Sequence, residues 1–187
     1  MYDFAAKYPQ GLKYAEFLER YGSDVHRGRW AGVKERVQLK PAQRELLSGF
    51  VREMKVLCLA GAWCGDCVNQ CPIFETFVEA APKIAIHYFD RDAHLDLKTA
   101  LQICGGDRVP VVVFLSEDDK FVGMYGDRTL SKYRQMAIDQ LGQSCPTGIA
   151  PPDQSALDAV TQDWLNEFER VQLVLRLSAR LRQKHND

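Results

Sequence analysis

The stretch GAWCGDCVNQC, residues 61–71, sets three cysteines within eight residues, between an apolar run and a helical pattern. Ahead of it, KVLCLAG (55–61) is short, apolar and closed by glycine, the pattern of a buried strand. Behind it, Val68, Ile73, Phe74, Phe77 and Val78 recur at helical spacing and predict a helix to about residue 80. Cys64 then stands at a helix N-terminus, where unpaired N–H groups and the helix dipole favour a thiolate. Cys67 follows one turn later, within disulfide reach. Such a pair can attack a substrate disulfide through Cys64 and resolve the mixed disulfide through Cys67. A metal site or simply packed sulfurs are the competing readings.

Outward from the motif, KIAIHYFD (83–90) reads as a second strand and AHLDLKTALQIC (93–104) as a short helix ending at Gly105-Gly106. VPVVVFLSEDDKFVGMYG (109–126) reads as two strands around a tight acidic turn, and RTLSKYRQMAIDQL (128–141) as a helix. Upstream, Pro41 suits the first position of a helix over 41–54, with Leu46, Leu47, Phe50, Val51 and Met54 as its stripe. Strands separated by helices call for parallel pairing with helical crossovers, and the final hairpin adds an antiparallel strand. The fold class is α/β, a central mixed sheet flanked by helices.

Two extensions flank this unit, so the chain divides into 1–40, 41–142 and 143–187. In the first, Leu12, Tyr14, Phe17, Leu18 and Tyr21 mark a helix stopped by Gly22, and residues 23–39 read as weak helix or loop. In the last, GQSCPTGIAPPD (142–153) reads as a linker and 154–184 as one long helix. The stripe of that helix is Leu157, Val160, Trp164, Phe168, Val171 and Leu175, widened by Val174, Leu177 and Leu181. Bulky aromatics in the stripe suit folding back onto a globular surface; pairing with a second copy as a homodimer is the alternative.

The motif resembles that of the thioredoxin family. AWCGDC is similar to its Trp-Cys-Gly-x-Cys pattern, the element order of 41–141 is similar to its fold, and two further residues fit. Pro110 in RVPVVVFL falls where the family keeps a cis-proline facing the dithiol. Gly126 in YGDRTLSK falls where it has a glycine before the last helix. The resemblance implies Cys64 as nucleophile, Cys67 as resolving thiol, Trp63 beside the pair, and a cis Pro110. The Val109 backbone would pair with an extended substrate like an added strand. It also implies a disulfide-containing protein or small-thiol substrate, recycling by a reductase or low-molecular-weight thiol, and no bound organic cofactor.

The departures carry expectations of their own. After Gly65, Asp66 stands where the family has proline, and its charge near Cys64 opposes thiolate formation, which favours a reducing couple. Cys58 stands where the family often has a buried aspartate that relays protons to the second cysteine. Deprotonation of Cys67 then falls to water, Asp66 or another group. Arg108 replaces a usual glycine; pointed at the dithiol, it would offset Asp66 and favour acidic or glutathione-like partners.

Composition agrees with a globular protein. The chain has 187 residues, 46% hydrophobic and 26% charged, with a formal net charge of −1. That lacks the basic excess of a nucleic-acid binder. No apolar run reaches the length of a membrane span, and the start, MYDFAAKYPQG, shows no signal-peptide pattern, which points to the cytoplasm. Six cysteines are too few for a disulfide scaffold. A zinc site would need Cys64, Cys67, Cys71 and a fourth ligand, but no second Cys-x-x-Cys or spaced histidine pair supplies it, so no metal is expected. Cys71, one turn past Cys67, is read as a buried small residue or a third thiol. Cys58 and Cys104 are read as core. A non-catalytic reading keeps the fold as an interaction module, and the test between them is whether an extension covers Trp63, Cys64 and Pro110. The turn SEDDK reads as solvated. Arg176, Arg180, Arg182 and Lys184 read as favourable charge at a helix C-terminus.

Overall fold

The computed structural model describes residues 2–142 and 154–187. In chain order it contains α1 (Phe4–Lys7), a 3-10 turn (Tyr8–Gln10), α2 (Tyr14–Tyr21), α3 (Asp24–Arg36) and α4 (Pro41–Ser48). There follow β1 (Met54–Ala60), α5 (Gly65–Ala80), β2 (Ile84–Asp90), α6 (Leu95–Ala100), β3 (Val111–Ser116) and β4 (Phe121–Gly126). The chain closes with α7 (Leu130–Gly142), α8 (Gln154–Leu177) and α9 (Ala179–His185).

The four strands form one mixed sheet in the order β2-β1-β3-β4. β1 and β2 run parallel from Met54↔Ile84 to Ala60↔Asp90. β3 runs antiparallel to β1, with Leu59 opposite Val111, and β4 antiparallel to β3. The expected parallel pairing of β3 is thus corrected. Asp90 faces Ala60 and Val111 faces Leu59, so the connection through α6 begins and ends at the same end of β1, and β3 enters there and runs back along β1. α6 is also shorter than expected, and the helix expected over 41–54 stops at Ser48. Gly49 closes it, Val51 is exposed, and Met54 already belongs to β1.

The N-terminal part finishes the β2 edge. Leu12 and Tyr88 exchange backbone hydrogen bonds of 3.0 and 2.7 Å, which satisfies donors an edge strand would leave open. Tyr8 stacks on His87, and Phe17, Tyr14 and Trp30 gather around Tyr88. Residues 23–39, ambiguous in sequence, contain a helix of 13 residues. Gly28 and Gly32 and a polar composition hide it. Only Trp30 and Val33 are buried, and its start is fixed by a Ser23–His26 capping box.

The long C-terminal stripe folds back onto the chain's own core. Trp164 and Phe168 are fully buried and meet Phe74, Phe77 and Phe114 edge-on or tilted. Val174 and Leu177 do not join the stripe, since Leu177 is 75% exposed. The helix is not continuous to 184: it breaks at Ser178, and α9 turns so that Leu181 is buried. The SEDDK turn is not simply solvated. Glu117 pairs with Lys184 and His185, Asp118 with Arg180, and Asp119 with Lys55. The basic residues of α9 therefore dock it on the β3–β4 turn.

Candidate active site: the Cys64–Cys67 dithiol

β1 delivers the chain to Gly61, and Cys64 caps α5 with an extended backbone. The Cys64 N–H donates to the Gly61 carbonyl at 3.0 Å, and the Cys64 carbonyl accepts from Val68 at 2.9 Å. The Cys64 Sγ is partly exposed and lies 3.6 Å from the Val109 carbonyl oxygen. The Val109–Pro110 peptide bond is cis. Trp63, 44% exposed, folds over Gly61, where any Cβ would meet the indole at 2.8 Å. Cys67 is fully buried, and its Sγ accepts the Gly61 N–H at 3.4 Å. Both cysteines are free thiols.

Burial opposes ionisation of Cys67, but hydrogen bonds from Cys64, Cys71 and the Gly61 N–H outweigh it and draw its pKa down to about 5. Cys64 moves the other way, pushed up first by its hydrogen bond to Cys67, then by burial and the neighbouring sulfur's charge. The two titrate as a pair, with the proton favoured on Cys64. Cys64 is the partly exposed sulfur of the two.

An open cleft of about 360 Å³ lies over the pair, lined in part by Trp63, Cys64, Arg91, Arg108 and Arg128. Its arginines are matched by carboxylates. Arg128 pairs with Asp66 at 2.6 Å and Asp127 at 3.2 Å; Arg108 reaches Asp127 and the Tyr133 hydroxyl at 3.4 Å. Arg91 lies over the Trp63 ring, 4.5 Å from its centroid. The Asp66 charge pushes the Cys64 thiol up, as expected, while Arg128 pairs with the same carboxylate. One expectation is corrected here. Arg108 is not aimed at the dithiol but anchored at the cleft rim by the buried Asp127. Burial works against the Asp127 carboxylate, yet Tyr133, Arg128 and Arg108 hold its pKa below the usual range.

Behind the pair, the extensions act as buttresses. From α3, the Trp30 indole donates to the Ala62 carbonyl at 2.9 Å, beside the motif. From α8, the Trp164 indole donates to Gln70 Oε1 at 2.8 Å. The Gln70 amide in turn donates to the carbonyls of Asp66 and Asp127 at 3.2 and 2.9 Å. Among the described residues, none from α1–α4, α8 or α9 lines the cleft over Cys64.

Of the residues singled out in sequence, Trp63, Cys64, Asp66, Arg108 and Val109 line one cleft, with Gly65 and Cys67 directly beneath in α5. Pro110 is buried, and Gly126 lies against it: a Cβ there would meet the Pro110 carbonyl at 2.5 Å, at a φ of +153°. Cys71 is fully buried one turn past Cys67 in α5, and the Cys58 and Cys71 sulfurs are 3.9 Å apart. Cys104, expected in the core, is exposed in a left-handed turn. Cys145 and the linker expected around it lie outside the described residues. Arg91, Arg128, Asp127 and Gln70 were missed; of these, Gln70 alone left a trace, as a polar residue one turn past Cys67 on an apolar helix face. Among the described residues no three His, Cys, Asp or Glu side chains are grouped to hold a metal ion.

A family model described as thioredoxin matches residues 11–140. No curated protein matches the sequence. Among solved structures, a protein of unknown function from Pseudomonas aeruginosa superposes with a TM-score of 0.71 at 17% identity, covering 91% of this chain and 97% of that one. An HIV epitope scaffold superposes with a TM-score of 0.67 at 20% identity over the same shares. Both share the fold.

Proposed function

The chain belongs to the thioredoxin family, and on that premise we propose that it is a thiol–disulfide oxidoreductase working through Cys64 and Cys67. The observation that carries the reading is access. Cys64 Sγ stands at a helix N-terminus, open to a cleft and beside the Val109 carbonyl, with Cys67 buried one turn behind. The Cys64 thiolate attacks a substrate disulfide, and one substrate sulfur leaves. Cys67 then attacks Cys64 Sγ, releasing the second substrate sulfur and leaving a Cys64–Cys67 disulfide. Extended substrate backbone would lie along Val109, ahead of Pro110, with Trp63 and Arg108 at its sides.

The direction of work is set by recycling. The Asp66 charge, which pushes the Cys64 thiol up, favours a reducing couple and is tempered by its ion pair with Arg128. A reductase or low-molecular-weight thiol, as in the cytoplasm, would keep the dithiol reduced and make it a reductant of protein or small-thiol disulfides. No helix among the described residues is long and apolar enough to cross a membrane. The interaction-module reading is weakened because the described extensions sit behind the site rather than over it.

Insulin and glutathione disulfide are suitable probes. The reduced protein should cleave them catalytically with a recycling dithiol, and Cys67→Ala should accumulate a mixed disulfide on Cys64. A Cys67→Ala protein that forms no such adduct, beside a wild type that shows no turnover, would remove the proposal.

A further inference from the structure

Behind the dithiol lies a second pair of thiols that the reaction above leaves unused. Cys58 belongs to β1 and Cys71 to α5, both are fully buried, and their sulfurs are in contact at 3.9 Å. Cys71 lies one helical turn past Cys67 in α5, and Cys67 lies one turn past Cys64. The four cysteines therefore run inward in order, from the cleft at Cys64 through Cys67 and Cys71 to Cys58. Only the first is open to solvent. A Cys58–Cys71 bond would shorten the contact between their sulfurs from 3.9 Å to about 2.0 Å.

We infer that Cys58 and Cys71 form an internal reserve dithiol, which reduces the Cys64–Cys67 disulfide from within and lets one chain deliver two pairs of electrons. This rests on the oxidoreductase reading above and extends it. After one turnover the Cys64–Cys67 bond is the oxidant. The Cys71 sulfur attacks Cys67 Sγ; the Cys67–Cys71 bond forms, the Cys64–Cys67 bond breaks, and Cys64 leaves with the electron pair and takes the Cys71 proton. The Cys58 sulfur then attacks Cys71 Sγ, and the Cys58–Cys71 bond forms. Cys67 leaves and takes the Cys58 proton. The net change is one disulfide reduced, one dithiol oxidised, and two protons moved outward along the chain. No outside reagent enters.

The same geometry sets the order and the pace. Burial pushes both the Cys58 and the Cys71 thiols up, so each is held protonated and the inner transfer is slower than the outer exchange. An external disulfide too large to enter the core can oxidise the inner pair only through Cys64.

The test uses the full chain with the outlying Cys104 and Cys145 replaced by serine, fully reduced, then mixed without air with excess dithiobis-nitrobenzoate. Each protein disulfide formed releases two nitrobenzoate thiols. The inference expects release in two phases totalling about four thiols per chain, against about two for the added Cys71→Ala variant. Acid quenching and peptide mass mapping should find Cys58–Cys71 in the slow phase only, and not in a Cys64→Ser variant. Release that stops at about two, with Cys58 and Cys71 alkylated as free thiols after unfolding, would overturn it. So would a Cys58–Cys71 bond that forms equally in Cys64→Ser. A stable nitrobenzoate adduct on Cys64, with Cys67 left free, would instead contradict the underlying oxidoreductase reading.

Discussion

Arg128 decides how the motif's departure from the family pattern is felt. Sequence alone makes Asp66 a charge beside Cys64; in the fold Arg128 pairs with it and offsets it. Asp66→Asn should therefore shift the pH midpoint of Cys64 alkylation only slightly, whereas Arg128→Ala, which frees the carboxylate, should raise that midpoint and slow alkylation several-fold at pH 7, a rough magnitude for one nearby charge. Stopped-flow alkylation across pH checks both. Gly126 is the second residue of this kind. Alanine there would be strained at φ +153° and pressed against the Pro110 carbonyl, a cost of about 1–3 kcal/mol by urea unfolding. Cys64, Cys67, Trp63 and Pro110 were legible because their spacing is local. Arg128 and Asp127 were not, because their roles depend on a loop that only the folded sheet brings to the dithiol.

At the scale of elements, the strands and α5 could be read because apolar runs and helical periodicity are strong local signals. The direction of β3 could not, since it depends on which end of β1 the connection through α6 returns to, which no local pattern records. α3 escaped for a different reason: its helical face is short and interrupted by glycines. The docking of α9 on the β3–β4 turn was visible only as two unrelated charge clusters, 117–119 and 180–185. Phe168 holds α8 to three ring neighbours in α5 and β3. Phe168→Ala should cost about 3–5 kcal/mol of unfolding free energy and loosen Gln70 through α8, so alkylation of Cys67 in the native state should also accelerate. Loss of stability without any change at Cys67 would separate the buttress from the site.

For the whole molecule, one core joins both extensions to the sheet, so the site's stability is the chain's stability. Burial lowers the pKa of His87, packed under Tyr8, and of His94 against Phe89. Their neutral forms are favoured in the folded chain, so their contribution is fully present above pH 6.5 and is lost as pH falls through the lowered folded values. Glu117 adds the same sign at lower pH. Lys184 and His185 hold its pKa below 4.5, so its contribution begins to fade below that value. The urea midpoint should therefore fall steadily from pH 7 to pH 4. A midpoint that rises on acidification would contradict this assignment.

The central claim is that Cys64 and Cys67 act as one two-electron couple. It is tested most directly by equilibrating the protein across a glutathione redox series, trapping thiols in acid, and measuring each cysteine by mass spectrometry. The account predicts that Cys64 and Cys67 convert together, with a tenfold change in their ratio for about 30 mV. Independent conversion of the two, or glutathione adducts on Cys64 with Cys67 always reduced, would contradict it.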